Sequence, residues 1–422
     1  MTVFSICRTY IMTGMIVATL YSNSRSDPLT FTLIADDKLH GTYIEKNVPA
    51  SLADNGTVVF RGLDTLSSDA LFSGNGLTNP VMVDLGDTGW INFLSSYDDI
   101  HSPQVISSGE IVFIAKRSIL HVALGVVQFQ GIYRAMLGGS GSDTLFEGGP
   151  LGHHPVPRHN VAMAETGLVA FSTIANGNGA IYSGSVAGTP AVLRNGSGTF
   201  FNTLGIDIND AGLVPIQMEY SDSTIGLSRG ILIFENPGDD LTTINTAIEK
   251  LNVGSQPQPV INNHDQVAFS LNNSVTLPLF LTTFNAGIYK ANPTAFDVAP
   301  DLTMIVGTDG PFDSFGRVEM DDFGNIVFEA TLDNNVSGIY GGPDPLLDRI
   351  IQEGDQIDGN TVLDIRLGEL NNSGQVAFIT TDTSLIDRVY RVQGGPIVIP
   401  APATVWIGLA LGVGMLTRRI RP

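Results

Sequence analysis

A short phrase that recurs along the chain constrains the fold more than any other feature. Each copy has a turn rich in Asn, Asp and Ser, then a glycine (an aspartate in one copy), then a β-branched run that usually ends in Phe. The copies are 45 to 59 residues apart and are placed by Gly56, Gly109, Gly167, Gly212, Asp265, Gly324 and Gly374. Glycine supplies the positive φ of a tight hairpin turn, and the Val, Ile and Phe that follow fill a buried strand.

Further sequence patterns that the copies share predict four strands in each unit. A second strand has the pattern of Gly338-Ile339-Tyr340, and a third has an acidic, glycine-bearing exit such as Gln352-Glu353-Gly354-Asp355. A lone four-stranded sheet would expose an apolar face and open edges, whereas sheets arranged around an axis bury both. We therefore predict an all-β fold, a seven-bladed β-propeller of four-stranded repeats over residues 27–393. A linear β-solenoid and an array of small sandwiches are the alternatives.

The two ends of the repeat region are expected to meet. The first unit starts near Thr30 and the last ends near Val392, so their meeting would close the ring. The sequence leaves open which strand of each unit faces the axis.

The repeats resemble an uncharacterised family of bacterial surface proteins. Its units follow the pattern Asn-Asn-x-Gly-x-Val-Ala-Phe and end in Gly-Ile-Tyr, and residues 371–378 match that pattern fully. The resemblance implies a propeller-like surface protein and brings no activity with it.

The first 26 residues have the order of a secretory signal peptide. A basic region ends at Arg8, an apolar run extends from Tyr10 to Leu20, and a small polar stretch follows at residues 22–26. The apolar run is short for a membrane-spanning helix. We predict a signal helix over residues 1–26, with a buried first strand or helix as the alternative. Cys7, the one cysteine of the chain, lies inside this segment, so the exported protein would have no disulfide.

Residues 394–422 predict a sorting tail. A Pro-rich stretch leads into a Gly-rich apolar run over 405–416 and then a terminal arginine cluster, as the positive-inside rule requires of a membrane segment. The tail resembles the PEP-CTERM sorting signal, although an alanine stands where that family usually has glutamate. The predicted sorting motif consists of Pro400, Ala401, Pro402, Ala403, Thr404, Arg418, Arg419 and Arg421. The resemblance implies processing by an exosortase-type enzyme, export across the inner membrane to the cell surface, and a C-terminal helix at least transiently in the membrane. An ordinary tail anchor or a buried helix would be the alternatives.

The charge of the chain narrows its partners. It has 42 Asp and Glu against 21 Lys and Arg, for a formal net charge of −21. A nucleic-acid binder needs clustered cations, and no such cluster is present in the body. An acidic surface favours divalent cations and basic or neutral partners.

Two groups of residues are candidate metal ligands. Carboxylates at the strand exits would gather on one face of a propeller and suit Ca²⁺, although Asp beside Gly is also ordinary turn chemistry. They are Asp36, Asp37, Asp87, Asp309 and Asp355. His153, His154 and His159 follow Glu147 and suit zinc or copper, with a solvated loop as the alternative. No cofactor is otherwise required.

The function predicted from these features is a non-catalytic one. We expect a surface-anchored or matrix-associated protein that binds extracellular polysaccharide or the cell envelope, in an adhesive or structural role. The alternative is a secreted propeller enzyme, a glycan lyase or hydrolase. The stretch Asp98-Asp99-Ile100-His101 suggests an acid–base pair, but it is also a common loop sequence.

Overall fold

The computed structural model describes residues 28–394, apart from fifteen short gaps between these bounds. The gaps are residues 38–42, 64–67, 84, 86–94, 122–124, 148–155, 176–177, 186–190, 196–199, 223–225, 235–241, 244–257, 273–274, 278–281 and 293–300. The predicted signal helix and the predicted tail helix lie outside the described residues. Within the described ranges, no helix is long and apolar enough to cross a membrane.

The described residues form seven sheets of four or five strands and one separate hairpin. We number the sheets in chain order. Sheet 1 contains β2 (Tyr43–Ile44), β3 (Ser51–Leu52), β4 (Val58–Leu63), β5 (Asp69–Gly74) and β6 (Val81–Met82). Sheet 2 contains β7 (Ser95–Val105), β8 (Glu110–His121), β9 (Gly125–Met136) and β10 (Ser142–Glu147). Sheet 3 contains β11 (Val156–Met163), β12 (Leu168–Ala175), β13 (Asn178–Ser185) and β14 (Ala191–Asn195).

The remaining sheets repeat this pattern. Sheet 4 contains β15 (Phe200–Ile206), β16 (Val214–Asp222), β17 (Gly226–Phe234) and β18 (Thr242–Thr243). Sheet 5 contains β19 (Val260–Ile261), β20 (Val267–Leu271), β23 (Gly287–Asn292) and β24 (Asp301–Gly307), and β21 (Val275–Leu277) pairs with β22 (Thr282–Phe284) as the hairpin. Sheet 6 contains β25 (Phe312–Met320), β26 (Ile326–Leu332), β27 (Ser337–Tyr340) and β28 (Arg349–Gln352). Sheet 7 contains β29 (Gln356–Ile357), β30 (Asn360–Leu370), β31 (Gln375–Asp382), β32 (Asp387–Gln393) and β1 (Thr30–Asp36).

The two ends of the described chain meet in sheet 7. Strand β1 pairs antiparallel with β32, so that Thr30 lies opposite Gln393 and Phe31 opposite Val392. The first and last units therefore meet as the sequence predicts.

The repeated aromatic residues form the centres of the sheets. Phe60, Phe113, Phe171, Phe269, Phe328 and Phe378 are all fully buried. The ring of Phe378 stacks on that of Tyr390, with centroids 5.7 Å apart, and Phe171 stacks on Tyr182 at 5.1 Å. Such pairs add about 1 kcal/mol to the free energy of burial.

The hydrophobic core lies between neighbouring sheets. Each of six clusters of buried side chains joins one sheet to the next along the chain. The seventh joins the last sheet to the first, with Ile379 and Val389 of sheet 7 packed among Val58 and Phe60 of sheet 1. The all-β, propeller-like arrangement that the repeats predict is confirmed.

Candidate functional site

The seven Asn/Asp turns are joined by hydrogen bonds from one sheet to the next. The amide N of Asp210 donates to Asn263 Oδ1 at 2.8 Å, that of Asn263 to Asp322 Oδ1 at 2.8 Å, and that of Asp322 to Asn372 Oδ1 at 2.8 Å. The amide N of Asn372 donates in turn to Asp54 Oδ1 at 2.7 Å. Sheets 4, 5, 6, 7 and 1 are therefore linked in order.

The same bonds continue through sheets 2 and 3. The amide N of Asn55 donates to Ser107 Oγ at 3.2 Å, and that of Ser107 donates to Glu165 Oε2 at 3.0 Å. The amide N of Thr166 donates to Asp210 Oδ1 at 3.0 Å, which returns to sheet 4. We call this closed series of bonds the turn belt, and the side of the molecule that carries it the turn face.

An axial cavity of about 150 Å³ lies beneath the turn belt. It is lined by the ends of the strands that lead into the turns. These strands therefore face the axis, a point that the sequence left open. Polar side chains line it from five sheets: Gln104, Asp207, Gln258, Arg317, Glu319 and Glu369. Sites for drug-sized ligands have about 300 Å³ or more. The cavity therefore suits waters or one small ligand, and not a sugar chain.

The carboxylates of the cavity are engaged in bonds between sheets. Glu369 of sheet 7 accepts from Ser51 Oγ at 2.8 Å, from the amide N of Leu52 at 2.6 Å and from Gln104 Nε2 at 2.8 Å. Asp207 of sheet 4 accepts from the amide N of Ile261 in sheet 5 at 2.8 Å. These bonds join sheet 7 to sheets 1 and 2, and sheet 4 to sheet 5.

Burial dominates the protonation of this cavity. It raises the pKa of Glu319 to about 8, although Arg317 Nε lies only 2.6 Å from Glu319 Oε1 and opposes the shift. Burial also raises the pKa of Asp207 to about 6 and raises the pKa of Glu369. Burial therefore favours the protonated form of Glu319.

The structure places two of the predicted calcium ligands at the closure of sheet 7. Asp36 is buried, and its Oδ2 lies 2.6 Å from Arg388 Nε. Asp37 accepts from the amide N of Ile44 at 2.7 Å. Both side chains thus have structural partners within the protein.

The other candidate ligands lie elsewhere. Asp309 follows β24 at the edge of sheet 5, and Asp355 accepts from the amide N of Gln352 at 3.0 Å. Asp87, His153 and His154 lie outside the described residues, as do all the residues of the sorting motif, and of His159 only the backbone, in β11, is described. Among the residues whose positions are described, no three His, Cys, Asp or Glu side chains form a group that could hold a metal ion. The metal sites stay predictions.

Phe323 is an exposed aromatic residue on the turn face that sequence reasoning missed. It occupies the second position of the turn in sheet 6, and 77% of its surface is exposed. A Cβ atom at the neighbouring Gly324 would lie 2.8 Å from Gln266 Oε1 and 3.2 Å from Lys290 Nζ, so both polar groups flank the turn. A signal was available, because the other six copies have Asn, Ser, Thr, Ala, His and Ser at this position.

Other apolar side chains project from the same face. In an antiparallel sheet, the loop between the third and fourth strands lies at the same end as the turn between the first and second. Leu346 and Leu347 lie in that loop of sheet 6 and Leu77 in that of sheet 1, while Met136 ends the third strand of sheet 2. All four are exposed.

A second polar cluster lies farther from the turns along β7. His101 Nε2 lies 2.7 Å from Asp99 Oδ1, and Lys116 Nζ lies 2.5 Å from Asp99 Oδ2. Beside them, Arg61 Nη2 donates to both carboxylate oxygens of Asp69, each at 2.9 Å. The structure thus brings His101 into contact with Asp99, one of the two carboxylates that the sequence suggests as its partner.

The fold defines the class of the chain as an all-β protein with propeller-like architecture. A family model described as a family of unknown function (DUF7453) matches residues 249–389. No curated protein matches the chain.

Solved structures share the fold at low sequence identity. A prolyl endopeptidase has a TM-score of 0.51 at 11% identity, with 84% of this chain and 50% of the endopeptidase covered. Prolyl oligopeptidase B from Galerina marginata, bound to a 35mer substrate, has a TM-score of 0.50 at 8% identity, with 84% and 47% covered. The chain spans about half the length of these enzymes. The polysaccharide lyase Uly1 matches at a TM-score of 0.41 and 8% identity, with 83% of this chain and 92% of the lyase covered.

Proposed function

We propose that the chain is an exported, surface-anchored or matrix-associated bacterial protein that binds extracellular polysaccharide through its turn face. In this proposal the seven sheets are the blades of one closed propeller, and the turn face is an adhesive surface that leaves the bound polymer chain intact.

The closed propeller is supported by two independent features. A buried cluster joins sheet 7 to sheet 1 in the same way as the clusters between the other neighbours. The turn belt also returns to its starting sheet, through the bonds from Asn372 to Asp54. A linear solenoid or an array of sandwiches would leave its first and last sheets apart.

The exposure of Phe323 is the observation that carries the binding role. Phe323, Leu346 and Leu347 place three exposed apolar side chains at the same end of sheet 6, and apolar side chains gathered on a polar surface are typical of a binding site. A sugar has an apolar face of C–H groups that can stack on such a ring, and hydroxyl groups that pair with neighbours such as Gln266 and Lys290. The belt acids already accept amide protons, which makes this surface better suited to a neutral polymer than to a highly charged one.

Export and anchoring rest on the two predicted terminal segments. The signal peptide over residues 1–26 would carry the chain across the inner membrane, and the tail would be cut by an exosortase-type enzyme. Mass spectrometry of the protein recovered from its host tests this proposal. We expect mature ends near residue 27 and near the Pro-rich stretch at 400–402, and an intact tail would overturn the processing step.

Binding of the full chain to a panel of bacterial and algal polysaccharides tests the main proposal. We expect saturable binding and unchanged polymer length, and we expect Phe323→Ala to weaken binding by tenfold or more while Phe323→Trp retains it. Leu385→Ala is the matched control, since Leu385 is 75% exposed but lies in the β31–β32 hairpin at the opposite face.

The outcomes separate the alternatives. Equal binding by the wild type and Phe323→Ala would exclude the turn face around sheet 6 as the binding site. Shortened polymer would support the lyase or hydrolase instead. Repeating the panel with and without Ca²⁺ tests the acidic strand exits, because loss of binding in a chelator is expected only if they hold the ion.

A further inference from the structure

The axial cavity brings charged side chains of both signs into one space. Arg317 and Glu319 are two positions apart on β25, so they lie on the same face of the strand, and both line the cavity. Glu369 of β30 lines it from sheet 7, and Asp207, which follows β15, lines it from sheet 4. One guanidinium and three carboxyl groups therefore share this cavity.

The guanidinium of Arg317 uses only one of its donors within the protein. Its Nε donates to Glu319 Oε1 at 2.6 Å, and neither Nη1 nor Nη2 donates a hydrogen bond to any of the described residues. The Arg317 side chain is 19% exposed, so these donors are largely removed from water. The two Nη atoms carry four N–H groups in a plane, which matches the two oxygens of a carboxylate. Arg317 therefore presents an unused binding surface for an anionic group.

One carboxylate oxygen of the cavity is also without a partner. Both oxygens of Asp207 accept from backbone amides, those of Ile208 and Ile261, each at 2.8 Å. Both oxygens of Glu369 have donors as well. Glu319 is 8% exposed, and its Oε2 accepts no hydrogen bond from any residue that the structure describes. A donor, and best a charged one, is what this oxygen lacks.

The charges around Glu319 decide between the possible ligands. Burial raises the pKa of Glu319 to about 8; the charge of Arg317 opposes this shift, and the charges of Glu369 and Asp207 add to it. A cationic group beside Oε2 would favour the ionised form. A simple anion would bind Arg317 but face three carboxyl groups, and a simple cation would bind the carboxyl groups but face Arg317. A ligand that carries both charges avoids both conflicts.

The size of the cavity limits such a ligand. A cavity of about 150 Å³ can hold benzene, which has six non-hydrogen atoms, and the axial cavity has this volume. Alanine also has six non-hydrogen atoms. A second cavity of about 50 Å³ shares four lining residues with the first and leaves room for water beside the guanidinium. The shared residues are Gln104, Gln258, Arg317 and Glu369.

We propose that the axial cavity binds a small zwitterion, a free amino acid of the size of glycine or alanine. Nη1 and Nη2 of Arg317 donate to its carboxylate, and its ammonium group donates to Glu319 Oε2. The site lies beneath the turn belt and does not include Phe323. The inference therefore does not depend on the binding of polysaccharide.

Isothermal titration calorimetry of the full chain with three ligands of matched size tests this proposal. Alanine has both charges, propionate has only the carboxylate, and ethylamine has only the ammonium group. We expect alanine to bind with a Kd of about 1 mM or lower, which is within the reach of a ligand this small. Propionate and ethylamine should each bind about tenfold more weakly or worse, because each lacks one charge-assisted contact.

Two conservative variants test the residues. Arg317→Lys keeps the positive charge but loses the planar pair of donors, and Glu319→Gln loses the negative charge. Each should weaken alanine binding by about tenfold or more. Arg366→Lys and Glu45→Gln are the matched controls, because neither side chain lines either cavity. Thermal unfolding of each variant separates loss of binding from loss of fold.

The pH dependence of binding gives a readout in the unsubstituted protein. The affinity for alanine should rise between about pH 6 and about pH 8, because the ammonium group binds the ionised form of Glu319 and burial favours the protonated form at lower pH. The rise should be smaller in Glu319→Gln, in which Asp207 and Glu369 are the carboxyl groups that remain beside Arg317.

Three results would overturn the proposal. They are a Kd for alanine above about 10 mM, binding of propionate or ethylamine as tight as that of alanine, and wild-type affinity in both Arg317→Lys and Glu319→Gln. Equal binding of propionate would indicate a simple anion site, and equal binding of ethylamine a simple cation site. None of these results affects the polysaccharide binding proposed for the turn face, which is measured with Phe323→Ala.

Discussion

At the scale of single residues, Arg388 of β32 is the cation that pairs with Asp36 of β1 and so stabilises the edge of sheet 7. It is 6% exposed, and it contacts Asp36 at 2.6 Å and Asp382 at 2.5 Å. Arg388→Met would leave two buried carboxylates without their cation, so we expect a loss of about 3–5 kcal/mol in the free energy of unfolding. Urea denaturation measures this change.

The control for that experiment is Arg349→Met. Arg349 lies 3.6 Å from Asp355 at a more exposed position. Pairs of this kind contribute about 0–1 kcal/mol, so the variant should unfold close to the wild type. Equal effects of Arg388→Met and Arg349→Met would show that the contacts of Arg388 with Asp36 and Asp382 have no special role in holding β1 in sheet 7.

Glu319 makes stability depend on pH. Its folded-state pKa of about 8 lies above its ordinary value of 4.5, so the folded protein holds the proton more tightly than the unfolded chain does. The free energy of unfolding therefore falls as the pH rises from about 4.5 to about 8. The contribution of Glu319 to this free energy is smallest above pH 8. Asp207 acts in the same direction at lower pH.

Glu319→Gln tests this dependence. Glutamine mimics the protonated carboxyl, so the stability of the variant in urea should be close to that of the wild type at pH 4 and should exceed it at pH 8.5. Its slope of stability against pH should be smaller but not zero, since Asp207 and Glu369 remain. Identical slopes for variant and wild type would exclude Glu319 as a group that titrates in this window.

At the scale of structural elements, the turn belt links the sheets. Asp54 accepts from both the amide N and Nδ2 of Asn372, at 2.7 and 2.9 Å. Hydrogen bonds to a charged group contribute about 1.5–3 kcal/mol. We expect Asp54→Ala to destabilise the protein by about that amount, and Asp54→Asn, which keeps one acceptor, to cost less. Thermal unfolding compares the two, and an Asp54→Ala variant as stable as the wild type would contradict a structural role for the belt.

The sequence predicted the elements well and their side-chain partners poorly. The spacing of Gly56, Gly109 and their equivalents specifies local turns, and local turns are readable because φ and strand propensity depend on neighbours in sequence. The bond from Asn372 to Asp54 joins residues 318 positions apart, and no local pattern encodes it. The same holds for the axial cavity. Glu319 and Glu369 lie in different sheets, and only the fold shows that they line the same cavity.

The partial success at Asp99 and His101 has the same cause. The two residues are close in sequence, so their pairing could be suggested. Lys116 and Asp69 arrive from other strands, and the positive φ of Asp99 depends on their contacts. Phe323 was missed for a different reason, because the sequence shows that it differs from the other six copies but not that its side chain is exposed.

At the scale of the whole molecule, strand β1 closes the structure. It supplies an edge of sheet 7 and adds Ile34 and Ala35 to the core between sheets 7 and 1. Removal of residues 1–36 should therefore abolish cooperative unfolding or cause aggregation, because it exposes the edge of β32 and an apolar face. Removal of residues 1–26, the predicted signal, is the matched control and should leave the unfolding transition intact. Calorimetry of both truncated proteins tests this prediction. Unfolding transitions at the same temperature and of the same size would contradict closure by β1.

The central claim is that this closed body presents its turn face to polysaccharide. Hydroxyl-radical footprinting of the full chain, with and without a saturating polysaccharide from the binding panel, tests it most directly. Phe323 and Met136 report on the turn face, and Tyr43, which is 56% exposed at the other end of sheet 1, reports on the opposite side. We predict that bound polymer protects Phe323, and Met136 to a smaller extent, while oxidation of Tyr43 is unchanged. Protection of Tyr43 with continued oxidation of Phe323 would place the polymer on the opposite face and contradict the proposed function.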